Sequence, residues 1–190
     1  QAFPANPILS YGWAKLVAEK QLEYLVQQGL SMRVAIARFI GVYGENQDIG
    51  LTTGSVIPVF SRRAAEYPRN GPFTIWGTGE ESRSYCFIDD AIDCIVRMIK
   101  KLDDTPIVGP LNVGKDEKVT IFDIAQRIIE ISRKNIEIKF DRKKKTVIWG
   151  QWCDCSRARK ELDGWTAETP LETGLERVYD YVTKRLKEEW

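Results

Sequence analysis

The sequence predicts a mixed fold in which helices and strands interleave, either α/β or α+β. Three observations carry that reading. Residues 11–28 repeat apolar side chains every three or four positions, the period of a helix with one apolar face. Residues 32–39 follow as a short, nearly continuous apolar run, the pattern of a strand buried on both faces of a parallel sheet. Hydrophobic residues make up 43% of the 190, enough to close a core, so wholesale disorder is excluded.

Residues 1–10 contain Pro4 and Pro7 and read as a loop. Ser10 can cap the helix Tyr11–Gln28, whose stripe is Ala14, Ala18, Leu22, Leu25 and Val26; Gly29 stands where a helix C-terminus favours glycine. Beyond the strand Met32–Phe39, the polar loop Gly41–Gly54 leads to a helix over Ser55–Tyr67. Pro58 falls in its first turn, where a missing N–H does no harm. Phe73–Trp76 reads as a strand, Gly77-Thr78-Gly79 as a turn and Ser84–Ile88 as another strand. Asp89 or Asp90 caps the next helix, with Ile92, Ile95, Val96 and Ile99 as its inward stripe and Lys100 and Lys101 in its last turn.

Leu111–Val113 is a short strand, and Thr120-Ile121-Phe122-Asp123 is an Asp form of the capping box. The helix it opens turns Ile121, Ile124, Ala125 and Ile128 inward. Ile136–Phe140 alternates as an antiparallel strand does. A basic run, Arg142–Lys145, precedes the segment W-G-Q-W-C-D-C. Two helices close the chain, the last with Leu171, Leu175, Val178, Val182 and Leu186 on one face.

Composition removes several function classes. With 28 Lys+Arg against 27 Asp+Glu the formal charge is +1, so neither nucleic acid nor a membrane surface is an expected partner. There is no histidine, which excludes Ser/His and Cys/His catalysis and His-based metal sites within this chain. Cys86, Cys94, Cys153 and Cys155 supply one tight C-x-C and no second spaced pair. They read as reduced core thiols with no metal, which points to a cytoplasmic protein. No apolar run approaches the roughly 20 residues that span a bilayer.

Tyr11 and Lys15 stand four apart on the first helix and share a face. An ammonium beside a phenol stabilises the phenolate, which turns a tyrosine into a usable acid/base near neutrality. A solvated helix face carries the same spacing.

YGWAK, ARFIGVYGEN, IWGTGEESRSYCFIDDAID, LNVGKDEKVTIFDIA and DCSRARKELDGW follow in that order. Together they resemble the second half of an extended short-chain dehydrogenase/reductase, within it the NAD-dependent nucleotide-sugar epimerases and dehydratases. The resemblance implies an α/β fold: the last part of a Rossmann-type parallel sheet plus a smaller α/β substrate-binding domain. Residues 1–44 would belong to the NAD-binding part and 45–190 mainly to the sugar-nucleotide part, with some segments returning to the Rossmann sheet. The glycine-rich dinucleotide turn and the Ser/Thr that assists the tyrosine would lie upstream of residue 1, so the chain alone is expected to be inactive.

The resemblance also assigns roles. Tyr11 becomes the acid/base, and Lys15 lowers its pKa and holds the nicotinamide ribose. Ile40 falls where the family's backbone approaches the nicotinamide. Gly41 takes a place usually filled by a substrate-holding Asn; a backbone that needs positive φ explains a glycine there equally well. Arg83 would grip the substrate diphosphate, with a salt bridge to Asp89 or Asp90 as the structural alternative. Ser55 and Val56, and the strand residues Thr74, Ile75 and Trp76, would border the nucleotide. Lys144 falls near a second phosphate contact, or simply in a solvated basic loop, and Gln151 near the sugar or phosphate. The implied partners are NAD, a UDP- or GDP-sugar and a second copy of the chain packed through helix 11–28. The implied activity is UDP-sugar 4-epimerisation, with 4,6-dehydration, 3,5-epimerisation or a non-catalytic binding module as the alternatives.

Overall fold

A computed structural model describes residues 5–144 and 150–188. The first part runs α1 (Ser10–Gln27), β1 (Val34–Phe39), β2 (Val42–Tyr43), α2 (Val56–Glu66), β3 (Phe73–Trp76), β4 (Ser82–Arg83), β5 (Cys86–Phe87) and α3 (Ile88–Lys101). The second runs β6 (Ile107–Val113), β7 (Val119–Thr120), α4 (Ile121–Ser132), β8 (Ile138–Asp141), β9 (Gly150–Gln151), α5 (Ser156–Glu161) and α6 (Leu171–Glu188). Lys145, the last of the basic run, lies outside the described residues, as do Pro4 and Trp149.

β1 and β6 pair in parallel from Val34 opposite Ile107 to Phe39 opposite Val113. The expectation of a strand buried on both faces is corrected: Val34 and Ile36 are buried, but Ala35 is exposed and Phe39 is 52% exposed. β6 is its one strand partner among the described residues, and α1, over which no residue is buried, covers it only loosely. α1 begins with Leu9 at the cap position, so Ser10 lies inside the helix and does not cap it. At its other end Gly29 takes φ +82°, as its place after the helix requires.

α3 and α5 pack with β6 around one core cluster that includes Cys94, Met98, Leu111, Val113, Cys153, Ala158 and Trp165. Here a second expectation fails. α3 buries Ala91, Cys94 and Met98, while Ile92, Val96 and Ile99 are 49%, 41% and 56% exposed. The helix carries two apolar stripes, and the one with the smaller side chains faces inward. Asp89 and Asp90 lie in its first turn and form no side-chain cap.

The other cluster fills the space between α2, α4, α6 and β3, with Phe60 against Phe73 at a ring separation of 5.0 Å. The α6 stripe is buried at all five expected positions. Thr120 accepts from the Asp123 N–H at 3.0 Å while the Thr120 N–H donates to the Asp123 carboxylate at 3.2 Å, completing the capping box of α4.

β8 pairs with β3 in parallel, not antiparallel, from Phe73 opposite Ile138 to Trp76 opposite Asp141. Alternation reports a half-buried strand but not its direction, and α4 lies on the crossover that parallel pairing needs. Of the strand expected over Ser84–Ile88 only Cys86–Phe87 forms, because Ile88 opens α3, and a separate strand, β4, stands just before it. β4 lies between β7 and β9, whereas β5 pairs with β2. Ser84 and Tyr85 make the change of sheet, which turns Phe87 into the larger cluster and Cys86 into the smaller.

Candidate active site

α1 runs back along β1, so the start of the helix stands beside the carboxyl end of the strand, where open parallel sheets place their ligands. Tyr11 and Lys15 both line a cleft of about 780 Å³ whose other wall includes Ala35–Phe39 and Asn112. The Lys15 Nζ lies 5.3 Å from the centroid of the Tyr11 ring, and the phenol is 72% exposed. One turn further along α1, Glu19 accepts from Arg38 twice, at 2.8 Å from Nε and 2.5 Å from Nη2. This two-point ion pair, mostly shielded from solvent, ties the helix to β1 and so fixes where Tyr11 stands.

The chain then leaves the sheet through Ile40 and Gly41. The Ile40 N–H donates to the Val113 carbonyl at 3.0 Å, and the Gly41 carbonyl accepts from the Cys86 N–H at 3.0 Å. Gly41 holds φ +62°, and a Cβ placed on it would lie 1.8 Å from the Ser84 carbonyl oxygen. The end of β1 is thus pressed against the residue after Arg83.

On the far side of that contact is a cavity of about 250 Å³. Val56, Trp76 and Arg83 line it, three of the residues expected to border the nucleotide. Arg83 sits on β4 opposite Val119 on one side and Gln151 on the other. Both aspartates considered as its structural partners are engaged elsewhere. Asp89 accepts from Arg177 at 2.6 Å, and Asp90 accepts from the backbone N–H groups of Glu168 and Thr169. Lys144 Nζ stands 3.8 Å above the Trp76 ring, so the loop cation and the indole form one feature at the rim.

Ser55 occupies the position before α2 but makes no side-chain cap, and it is exposed. Ile75 is fully buried in the core, so only its backbone is left for a ligand. Thr74 contributes its carbonyl, which accepts from Arg63. The Gln151 side chain lies outside the described part of the structure. Two side chains of the cavity escape sequence reasoning: Arg63, from α2, and Glu81, which is 3% exposed. In the run Arg62-Arg63, Arg62 bonds Glu66 on its own helix, and nothing in the sequence says which of the two turns inward.

Residues 1–114 match the NAD-dependent epimerase/dehydratase family. The chain belongs to that family. Among curated relatives, a UDP-glucuronic acid decarboxylase of Arabidopsis thaliana is 30% identical over 174 residues, 90% of this chain and 47% of the relative. The GDP-mannose 3,5-epimerase of the same plant is 26% identical over 99% of this chain and 48% of its own. Among solved structures, the UDP-glucose 4-epimerase of Thermotoga maritima, determined with UDP-glucose, superposes with a TM-score of 0.80 at 25% identity. That match covers 98% of this chain and 59% of the epimerase. The chain spans about half the length of the curated relatives it matches. Its parallel strand pairs and flanking helices are the matching part of a Rossmann-type epimerase fold.

Proposed function

We propose that this member of the epimerase/dehydratase family supplies the acid/base and most of the substrate-binding surface of an NAD-dependent nucleotide-sugar epimerase. The observation that carries the reading is the pairing of Tyr11 with Lys15 on the wall of one cleft, joined through Ile40 and Gly41 to the cavity that holds Arg83. The cleft wall with Lys15, and Ile40 at the end of β1, suit the nicotinamide end of NAD: Lys15 would hold the ribose and the Ile40 backbone would approach the nicotinamide. Bound NAD supplies the acceptor and donor of hydride.

The Tyr11 phenol oxygen gives and takes the proton of a sugar hydroxyl, and the neighbouring ammonium stabilises the phenolate so formed. Arg83 presents a permanently charged fork to the diphosphate of a UDP- or GDP-sugar, with Lys144 as a second positive charge. Val56 and the backbone of Thr74–Trp76 border the nucleotide, and Gln151, opposite Arg83, is the nearest strand neighbour to the diphosphate. The division at residue 44 follows the same logic. The smaller cluster gathers Ala37, Ile40 and Val42 with segments from 86–113 and 153–165, the pieces that return to the Rossmann sheet.

Replacing Tyr11 by Phe in the full-length protein tests the assignment. Turnover of the nucleotide sugar should fall by about 10²–10⁴-fold, the usual cost of losing a general acid/base, with substrate affinity and melting temperature unchanged. Wild-type turnover by that variant removes Tyr11 from the reaction.

A further inference from the structure

Tyr11, Lys15 and Glu19 stand at successive turns of α1 and form one row along the wall of the cleft. With Arg38 of β1 they are the charged or titratable side chains that line it; β6 adds Asn112, and residues 5–7 add none. Glu23, one turn further on, accepts from Lys20 at 2.7 Å. Lys15 and Glu19 have the four-residue spacing at which helices form ion pairs. Yet among the described residues Lys15 takes no carboxylate partner, and its Nζ lies 5.3 Å from the centroid of the Tyr11 ring. The two oxygens of Glu19 accept instead from Arg38, at 2.8 Å and 2.5 Å. This pair is the shielded part of the row, with the Glu19 side chain 12% exposed and that of Arg38 24%.

We infer that Arg38 is a positioning residue for the acid/base: by holding both oxygens of Glu19 it keeps the Lys15 ammonium free to serve Tyr11. The inference rests on the reading of Tyr11 and Lys15 given above. A guanidinium suits the task because its planar fork matches both carboxylate oxygens at once, where an ammonium meets them as a point charge. The hydrogen bond with Glu19 raises the Arg38 pKa further, so the fork stays charged wherever a tyrosine titrates. Without Arg38 a largely shielded carboxylate would be left unpaired, which is costly, and Lys15 is the other cation lining the cleft. An ammonium drawn one turn along α1 to Glu19 leaves the phenol, and its charge is neutralised there. The Tyr11 phenolate then forms without help. Glu19 itself stands about 12 Å along the helix from Tyr11, beyond the screening length of about 8 Å at physiological salt, so its effect on the phenol runs through Lys15.

Ionisation of Tyr11 in the full-length protein tests this without any substrate. Isotope-labelled tyrosine Cζ carbons followed by NMR report each phenol, and the signal missing from Tyr11→Phe is that of Tyr11. Arg38→Met is expected to raise the midpoint of the Tyr11 titration by about half a pH unit or more. Adding Glu19→Gln to Arg38→Met should return the midpoint to within about 0.2 of the wild type, although the tie between α1 and β1 is still broken. In a Lys15→Met background Arg38→Met should move it no further. Arg38→Gln keeps a hydrogen bond to Glu19 but not the charge; it should act in the same direction, and it replaces Arg38→Met if that variant does not fold.

A midpoint that neither Arg38 variant moves overturns the inference. So does a rise that persists when Glu19→Gln is added, because the ion pair would then act only as a structural tie. A further rise in the Lys15→Met background overturns it as well. Wild-type turnover by Tyr11→Phe removes the acid/base reading whatever the titrations give, whereas an unmoved midpoint removes only the role of Arg38.

Discussion

Gly41 is the residue on which the two halves of the site are hinged. At φ +62° an L side chain is strained, and a Cβ would meet the Ser84 carbonyl at 1.8 Å, so the backbones cannot keep their approach if any side chain is added. A larger residue therefore has no room here. Gly41→Ala is expected to destabilise the fold by at least about 2 kcal/mol, combining strain with displacement of the strand that carries Arg83. Urea unfolding measures it, and a loss within about 0.5 kcal/mol would show that β1 and β4 part freely. Other single residues differ in how plainly the sequence announces them. Tyr11 and Lys15 are legible because four residues on a helix bring side chains together whatever the rest of the chain does. Arg63 is not, because it reaches the Thr74 carbonyl only through the packing of α2 on β3.

Among the elements, those specified locally match their sequence patterns. The capping box at Thr120 and the stripe of α6 depend on residues within a turn or two of each other, and both form as expected. Elements that depend on a distant partner do not follow so directly. The parallel direction of β8, the split between β4 and β5, and the choice between the two apolar stripes of α3 are settled by neighbours tens of residues away. Periodicity shows that a face is apolar, and packing decides which face is covered. α1 makes the same point. Its faces include Trp13, Val17 and Tyr24 at 48%, 52% and 58% exposure, with Leu25 at 36%. So much apolar surface on the helix bearing Tyr11 and Lys15 supports its packing against a second copy of the chain. We expect the full-length protein to sediment as a dimer at micromolar concentration and Val17→Glu to shift it to monomer. A wild-type monomer would exclude this face as an interface.

At the scale of the molecule, the smaller of the two core clusters holds all four thiols. Cys153 and Cys155 have sulfurs 3.1 Å apart. Burial pushes the thiols of Cys86 and Cys94 up to about 12 from an ordinary value of 9.0. Cys153 is raised as well, first by its hydrogen bond with Cys155 and then by burial. Burial also raises the Tyr43 and Tyr85 phenols. The folded chain keeps these protons at pH values where the unfolded chain has released them. Their contribution to stability is therefore complete below pH about 9 and is lost as the pH rises toward 12. Under reducing conditions the melting temperature should fall progressively above pH about 9; a flat profile to pH about 11 would mean that these groups titrate freely in the native state.

The pairing of β1 with β6 joins residues more than seventy positions apart, Val34 with Ile107 at one end and Phe39 with Val113 at the other. Everything from β2 to α3 is strung between the two strands. During synthesis β1 leaves the ribosome long before β6 exists, and the intervening segment must close before the ladder between these two strands can form. The strand beside the helix of Tyr11 and Lys15 thus gains this partner only after everything from β2 to α3 has been made. Nascent chains stalled before residue 107 carry Tyr11 and Lys15 with no sheet from β6 beneath them.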